Sequence, residues 1–470
     1  MQYSIVNYKT VKENSDFRID AEYYKLAYFK IEENLEKLKI VLLKDIFYDI
    51  KNGVDYRVFV DRGNTKYIRT ADIKEEGYTG SAVNIQIEGI PSKVRLKKDD
   101  ILFTRKGNFG CNCVVNEAMI NYLISSEIML LRRKDIRYSA YYLSTYLRCF
   151  YAQEQINRNI HGVSNYSITQ ESLENLKIPV FSNSFQLQIE KIVKQAYQLL
   201  DHSKSLYSQA EELLLSELGL LDWQPKHTLT FVKNFSDTQK AERMDAEYFQ
   251  PKYEEIIEAV KRYKGGFGEL GDLVRIKKSV EPGSEAYQEE GVPFVRVSNL
   301  SKFELSTNNQ QFISEKLYEE LKIHQPKKGE ILLSKDATPG IAYYLNEEPQ
   351  KMIVSGGILR LKISNQQILP EYLTLVLNSV IVQKQIERDA GGSIINHWRP
   401  DQVKKTLIPI LKEDKQKEIK ELIEKSFSNR SLSKSLLEIA KRGVEIAIEQ
   451  DEQEAEKWIN GEIKKLGVEI

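Results

Sequence analysis

Cysteine is scarce in this chain, with three in 470 residues: Cys111, Cys113 and Cys149. An odd, sparse set makes no disulfide framework. Cys111 and Cys113 also lack the second Cys or His pair that a four-ligand zinc site requires, so no metal role is expected. No apolar run approaches the roughly 20 residues that cross a bilayer, and the opening MQYSIVNYKT lacks the basic-then-apolar order of a secretory signal. A cytoplasmic protein with no membrane partner is the expectation. Net charge is lacking as well, since 68 basic residues meet 68 acidic ones. That balance argues against indiscriminate nucleic-acid binding, which depends on clustered Lys and Arg. It leaves room for a binder with segregated charge, or one that shares phosphate contacts with a partner.

Catalytic signatures are missing too. There is no Gly-Lys dipeptide and hence no Walker P-loop, and neither His-Glu-x-x-His nor Gly-x-Ser-x-Gly occurs. No two prolines are adjacent, which excludes the Asn/Asp-Pro-Pro-aromatic element of amino-methyltransferases. The five histidines, His161, His202, His227, His324 and His397, do not recur at equivalent positions as a duplicated catalytic base would. The chain reads as a non-enzyme.

What is present is one unit written twice. RIDAEYY (18–24) returns as RMDAEYF (243–249), YIRTADI (67–73) as FVRVSNL (294–300), and LKKDDILFTRKGNFG (96–110) as PKKGEILLSKDATPG (326–340). ISSEIMLLR (124–132) returns as VSGGILRLK (354–362), YYLSTYLRCFYAQEQINR (141–158) as EYLTLVLNSVIVQKQIER (371–388), and LENLKIPV (173–180) as VKKTLIPI (403–410). Asp20 to Asp245 is an offset of 225 and Pro179 to Pro409 one of 230, so only small insertions separate the copies. A period this long is a tandem domain rather than a solenoid turn.

Within each copy, β-rich runs such as KYIRTADI, DILFT and EIMLLR alternate with helical spacing. Tyr142, Leu143, Tyr146, Leu147, Phe150 and Ile156 mark a helix over Tyr141–Asn157. A mixed α/β (α+β) domain is expected. After each Ile-Pro the apolar or small positions step by three and four, as at Ile189, Ile192, Ala196, Leu199, Ser203, Leu206, Ala210 and Leu213, and again at Ile419, Leu422 and Ser426, then Leu436, Ala440 and Ala447. Each copy thus ends in a long helix with one apolar seam. The two seams satisfy each other as an antiparallel coiled coil of about 30 residues a helix, roughly 45 Å long. The second seam is polar around Asn429 and Ser433 and fits less well. The expected organisation is a first domain at 1–182, a long helix at 183–218, a linker at 219–228, a second domain at 229–412, and a second helix and tail at 413–460.

The doubled acidic pairs, Asp20 with Glu22 and Asp245 with Glu247, invite a metal reading. That reading needs further carboxylates recurring in both copies, and Asp72 becomes Asn299 while Glu127 becomes Gly357. The scaffold reading is preferred: Asp20 starts a helix as N-cap or first-turn acid, with Tyr23 or Tyr24 turned inward.

In order and in duplicate, these motifs resemble the specificity (S) subunit of type I restriction–modification systems. The likeness spans nearly the whole chain: Arg-[Ile/Met]-Asp-Ala-Glu opening each half, the paired Arg69 and Arg296 segments, the Arg105 and Lys335 turns, Ile-Pro closing each domain, and the helix after it. The tail EQEAEKWI (452–459) is similar to the family's C-terminus. The resemblance implies two target-recognition domains that read the halves of a bipartite double-stranded DNA target. It also implies docking of two DNA-methyltransferase subunits and the endonuclease/translocase subunits on the helices. S-adenosylmethionine, ATP and Mg would belong to those partners, with no cofactor on this chain.

For a DNA-reading domain, recurring cations suit phosphate and diverging polar groups suit base edges. Arg69 with Arg296, Arg105 with Lys335, and Arg158 with Arg388 recur. Lys106, Asn108 and Asn299 stand in or beside the same turns. The loops NRNIHGVSNYS (157–167) and ERDAGGSIINHW (387–398) diverge at His161, Asn165, Tyr166, Ser393, Asn396 and His397. For the cations the alternative is a solvated charge or an internal ion pair, and for the loops it is simple drift. Two other functions stay open: a protein-binding adaptor without sequence preference on DNA, and a nuclease or methyltransferase with its own site.

Overall fold

A computed structural model describes residues 6–13, 18–107, 109–160, 166–390 and 396–470. It divides into two units, Met1–Asp201 with Arg430–Ile470, and His202–Asn429. Both boundaries fall inside the long helices.

In the first unit Ile101–Thr104 is buried at every position, as a strand covered on both faces must be. It lies between Ile128–Leu131 and Asn112–Val114 in an antiparallel sheet edged by Lys51–Asn52. A smaller sheet sets Thr65–Ile68 between Val83–Ile85, antiparallel, and Leu123–Ile124, parallel. The second unit repeats both orders. Its first sheet runs Val274–Lys278, Ile358–Ile363, Glu330–Ser334, Ala342–Tyr344, and its second runs Gln311–Ile313, Val292–Val295, Ile353–Val354. Duplication of letters is duplication of topology, and the fold is mixed α/β in both copies.

The helix expected over Tyr141–Asn157 is two helices, Ala140–Arg148 and Phe150–Arg158, with Cys149 extended between them at φ −74°, ψ 161°. Ser379 breaks Pro370–Asn378 from Val380–Asp389 in the same way. Apolar spacing continues through the break because each short helix buries its own stripe, so periodicity alone hides it. The backbone N–H freed at Phe150 donates to Glu445 Oε1 at 2.8 Å.

The letters shared by the copies anchor this frame. Tyr142 Oη donates to Pro179 O at 2.6 Å and Tyr372 Oη to Pro409 O at 2.8 Å, tying each helix to the Ile-Pro that closes its copy. Gln155 accepts from Lys177 N at 2.9 Å, and Gln385 accepts from Leu407 N at 2.8 Å. Those residues lie in two-stranded ribbons, Ile40–Leu42 with Lys177–Pro179 and Phe267–Glu269 with Leu407–Pro409. The first strand of the second ribbon lies within Gly266-Phe267-Gly268-Glu269-Leu270-Gly271, which has the spacing of a dinucleotide fingerprint. Its strand is antiparallel to its neighbour and the helix that follows is the four-residue Leu270–Leu273, so it is not a parallel strand feeding a long helix.

Asn183–Glu217 and Glu413–Glu449 are continuous helices of 35 and 37 residues. In the first unit Ser433 Oγ donates to Ala196 O at 2.7 Å and Ile189 lies beside Gly443, so the two segments run antiparallel. In the second unit Ser426 Oγ donates to Ser203 O at 2.7 Å, while Lys415 approaches Glu217 at 3.9 Å, again antiparallel. The polar middle of the second seam is thereby explained. Ser203, Ser426 and Ser433 are buried and hydrogen-bonded, and their small size lets the backbones come close. A last helix, Glu452–Leu466, starts at an Asp451 cap and joins the first unit where Glu452 Oε1 accepts from Ser182 N at 2.9 Å. No described helix is long and apolar enough to cross a membrane.

Candidate nucleic-acid interface

In the first unit the strand Thr65–Ile68 runs into Arg69 and a single 3-10 turn, Thr70–Asp72. The Asp72 carboxylate is 1% exposed and accepts from Arg69 N at 2.8 Å, Arg69 Nε and Nη2 at 3.1 Å, and Ser81 Oγ at 2.8 Å. Burial pushes its pKa up, but the guanidinium, the backbone N–H and the hydroxyl outweigh that and hold it below the ordinary carboxylate value. The Asp72 hydrogen bond raises Arg69 in turn.

The Arg105–Gly107 turn lies against this one, since a Cβ on Gly107, at φ +72°, would meet Thr70 Oγ1 at 3.0 Å. Arg105 N donates to Glu127 O at 3.0 Å, and Lys106 Nζ stands 3.5 Å from a Glu127 carboxylate oxygen. Tyr166 is exposed. Asn108, His161 and Asn165 lie outside the described residues.

The second unit builds the same place with different groups. Asn299, wholly buried, keeps the turn by accepting from Arg296 N at 3.1 Å, but its amide donates to Ser306 O and Asn308 O at 3.0 and 2.9 Å. Arg296 instead donates from Nη2 to Asn309 O at 2.6 Å. Beside it, Asp336–Ala337 pairs with Asn396–His397 as a two-residue ribbon, and a Cβ on Gly357 would lie 2.9 Å from Val297 Cγ2 and 3.5 Å from Asp336 Cβ. Asp336 is ion-paired with Lys335 and receives His397 Nδ1 at 2.8 Å. Burial raises the Asp336 pKa, while Lys335 and His397 bring it below its usual value. Trp398 is buried beneath, its backbone N–H donating to Lys335 O at 2.8 Å. The structure therefore brings Arg296, Asn299, Lys335 and His397 to one place, and in the first unit Arg69, Arg105 and Lys106. Ser393 lies outside the described residues, and Asn396 is described by its backbone alone.

Arg158 and Arg388 stand elsewhere. Arg158 is 4.4 Å over the Tyr23 ring, donates from Nε to Tyr23 O at 3.0 Å and pairs with Glu32 at 2.9 Å, its side chain 10% exposed. Arg388 lies 5.3 Å over the Tyr248 ring and pairs with Asp389 at 2.6 Å. Both belong to the Arg-[Ile/Met]-Asp-Ala-Glu turn, where Arg18 Nη1 donates to Arg158 O at 3.1 Å and Arg243 Nη1 to Arg388 O at 3.4 Å.

That turn also corrects the expected helix start. Asp20 Oδ1 accepts from Tyr23 N at 3.0 Å and Asp245 Oδ1 from Tyr248 N at 3.1 Å, each also paired with the arginine two residues before it. The helices begin later, at Leu26 and Pro251, because Lys25 and Gln250 are extended. Pro251 at the first helical position enforces this in the second copy. Tyr24 is the tyrosine turned inward, with its hydroxyl on Arg18 O at 2.9 Å.

Sequence reasoning missed the carboxylates that decide which cations are committed. Asp336 is visible beside Lys335 in the sequence. Glu127 reaches Lys106 from the turn before a neighbouring strand and has no local signal.

The model of the type I restriction modification DNA specificity domain matches the chain twice, at residues 36–212 and 266–441. No curated protein gives a match. Among solved structures the chain is similar to the S subunit of a type I restriction–modification system from M. genitalium, at 16% identity over 92% of this chain and 96% of that one, with a TM-score of 0.37. It is similar to the HsdS subunit from Thermoanaerobacter tengcongensis at 14% identity, covering 88% and 97%, with a TM-score of 0.29. A structure addressing complex assembly and conformational transition of a type I R-M system gives 14% identity, 91% and 97% coverage, and a TM-score of 0.28.

Proposed function

The chain belongs to the type I restriction–modification DNA specificity family, which makes it the subunit that supplies sequence recognition; from that premise we propose that each unit reads one half of a bipartite, asymmetric target. The observation that carries this reading is one frame bearing two sets of side chains. Tyr142/Tyr372 and Gln155/Gln385 hold the same backbone atoms in both units, while Asp72/Asn299, Lys106/Asp336 and Glu127/Gly357 change the chemistry at the same turns. A fixed frame with exchanged donors and acceptors is what two different half-sites require.

The long helices set the spacer between the half-sites and dock two methyltransferase subunits, with the endonuclease subunits joining that assembly. A 35-residue helix is about 52 Å long, enough to span one duplex turn of about 34 Å. This chain is non-catalytic in the complex, and S-adenosylmethionine, ATP and Mg are bound by the partners. Mapping N6-methyladenine in a host that carries the chain with its partners tests the reading. Two half-sites of different sequence are expected, and exchanging residues 65–169 for those of a relative with another target changes only one of them. A single continuous site, or a change in both halves, overturns it. A complex without preference among DNA sequences points to the protein-binding adaptor instead.

A further inference from the structure

Pairing off the charges at the two turn clusters leaves one guanidinium in each, and it is not the same one. In the first unit Asp72 takes Arg69 and Glu127 faces Lys106, which leaves Arg105. In the second unit Asp336 takes Lys335, and Asn299 in place of Asp72 leaves Arg296. No described carboxylate stands within salt-bridge distance of Arg105 or Arg296. Both residues are partly exposed with the Nε buried, and Arg296 Nη2 donates to Asn309 O, so the remaining Nη donors are the ones left for a ligand.

We propose that the cation holding the DNA backbone is Arg105 in the first unit and Arg296 in the second. The positional counterparts, Arg69 and Lys335, act as struts of the fold. The inference rests on the specificity reading above and goes beyond it, because positional recurrence alone assigns the same task to Arg69 and Arg296. The ligand is a phosphodiester oxygen, met by the terminal Nη donors of the guanidinium. The sequence device is an exchange of carboxylates. Asp72 becomes Asn299, which keeps the turn by its Oδ1 while dropping the charge, and Lys106 becomes Asp336, which brings a charge to the other turn. Leaving His397 aside, three cations and two acids in the first cluster, and two cations and one acid in the second, leave one positive charge in each.

The test is DNA binding by the complex with its methyltransferase subunits, on a duplex carrying the mapped target, across a salt series. Arg105→Ala and Arg296→Ala are each expected to weaken binding about tenfold and to lower the slope of log Kd against log salt by about one. Arg105→Lys and Arg296→Lys keep the slope, which separates loss of charge from misfolding. Arg69→Ala and Lys335→Ala lower the melting temperature and leave the slope intact. A slope that falls for Arg69→Ala or Lys335→Ala and not for the other pair overturns the assignment. So does an Arg296→Ala complex that relaxes its sequence preference at one base with an unchanged slope, since that identifies a base contact. In either case the specificity reading stands; it fails only if the wild-type complex shows no sequence preference.

Discussion

Replacing Asp72 by Asn, the residue the second unit carries at the same turn, should destabilise the first unit. The substitution keeps the bond from Arg69 N, as Asn299 does for Arg296 N. It loses the charge on a carboxylate that is 1% exposed and accepts two guanidinium bonds and one hydroxyl bond. Bonds to a charged group contribute about 1.5–3 kcal/mol each, and with the Arg69 side chain 38% exposed part of that is screened. A net loss of about 2–3 kcal/mol follows, or roughly 4–12 °C in the melting transition of a unit this size. The pH dependence has a definite sign. The folded pKa of Asp72 is depressed, so its contribution is complete above the unfolded carboxylate value near ~3.9 and is lost as pH falls through the folded value. Urea denaturation of wild type and Asp72→Asn should therefore show a gap at pH 7 that narrows below about pH 4. A variant that melts with the wild type at pH 7, or a gap that widens on acidification, would refute the strut reading of Arg69.

Asn299→Asp in the second unit should destabilise even though it offers Arg296 a partner. The new carboxylate oxygen would face the carbonyls of Ser306 and Asn308 where an amide now donates, at a cost of about 1–3 kcal/mol by thermal melting. Arg158→Ala removes a guanidinium that is 10% exposed and bound to Glu32 and Tyr23; it should cost about 3–5 kcal/mol in urea denaturation and leave the salt slope of DNA binding unchanged. Ser426→Leu puts a bulky side chain where Ser203 and Ser426 touch. Over-packing there should lower stability by about 1–3 kcal/mol, whereas the same change at exposed Ser205 should be nearly silent.

The duplication, the mixed domains and the paired helices were legible because each leaves a periodic or repeated trace in the letters. The break at Cys149 was not, since an extended residue between two helices with continuous apolar faces leaves the spacing intact. The helix start at Arg-[Ile/Met]-Asp-Ala-Glu was placed too early for a similar reason: an Asp that closes a turn on the N–H three residues on looks in sequence like an N-cap. At the candidate interface, the turns carrying Arg69 and Arg105 were found from their recurrence. Their ion pairing was hidden, because Glu127 meets Lys106 only through the folding of the sheet.

Comparison of the two units shows what several of the recurring letters do in the fold. Several letters retained in both copies have backbone duties: the tyrosine hydroxyl on the Ile-Pro carbonyl, the glutamines bridging the ribbon, and the Arg-Asp pair closing the opening turn. Those duties are identical in the two units because the frame is identical, and a residue kept for the frame carries no information about what is read. Arg158 and Arg388 also recur, stacked on Tyr23 and Tyr248. The letters that diverge, Asp72/Asn299, Lys106/Asp336 and Glu127/Gly357, meet at adjacent turns within each unit. A chain that must keep one architecture while reading two half-sites has to confine variation to positions the fold tolerates. Asp72 and Asn299 show the limit of that tolerance. Both are buried, and both keep the one side-chain oxygen that closes the turn on the arginine N–H, so only the charge is left to vary.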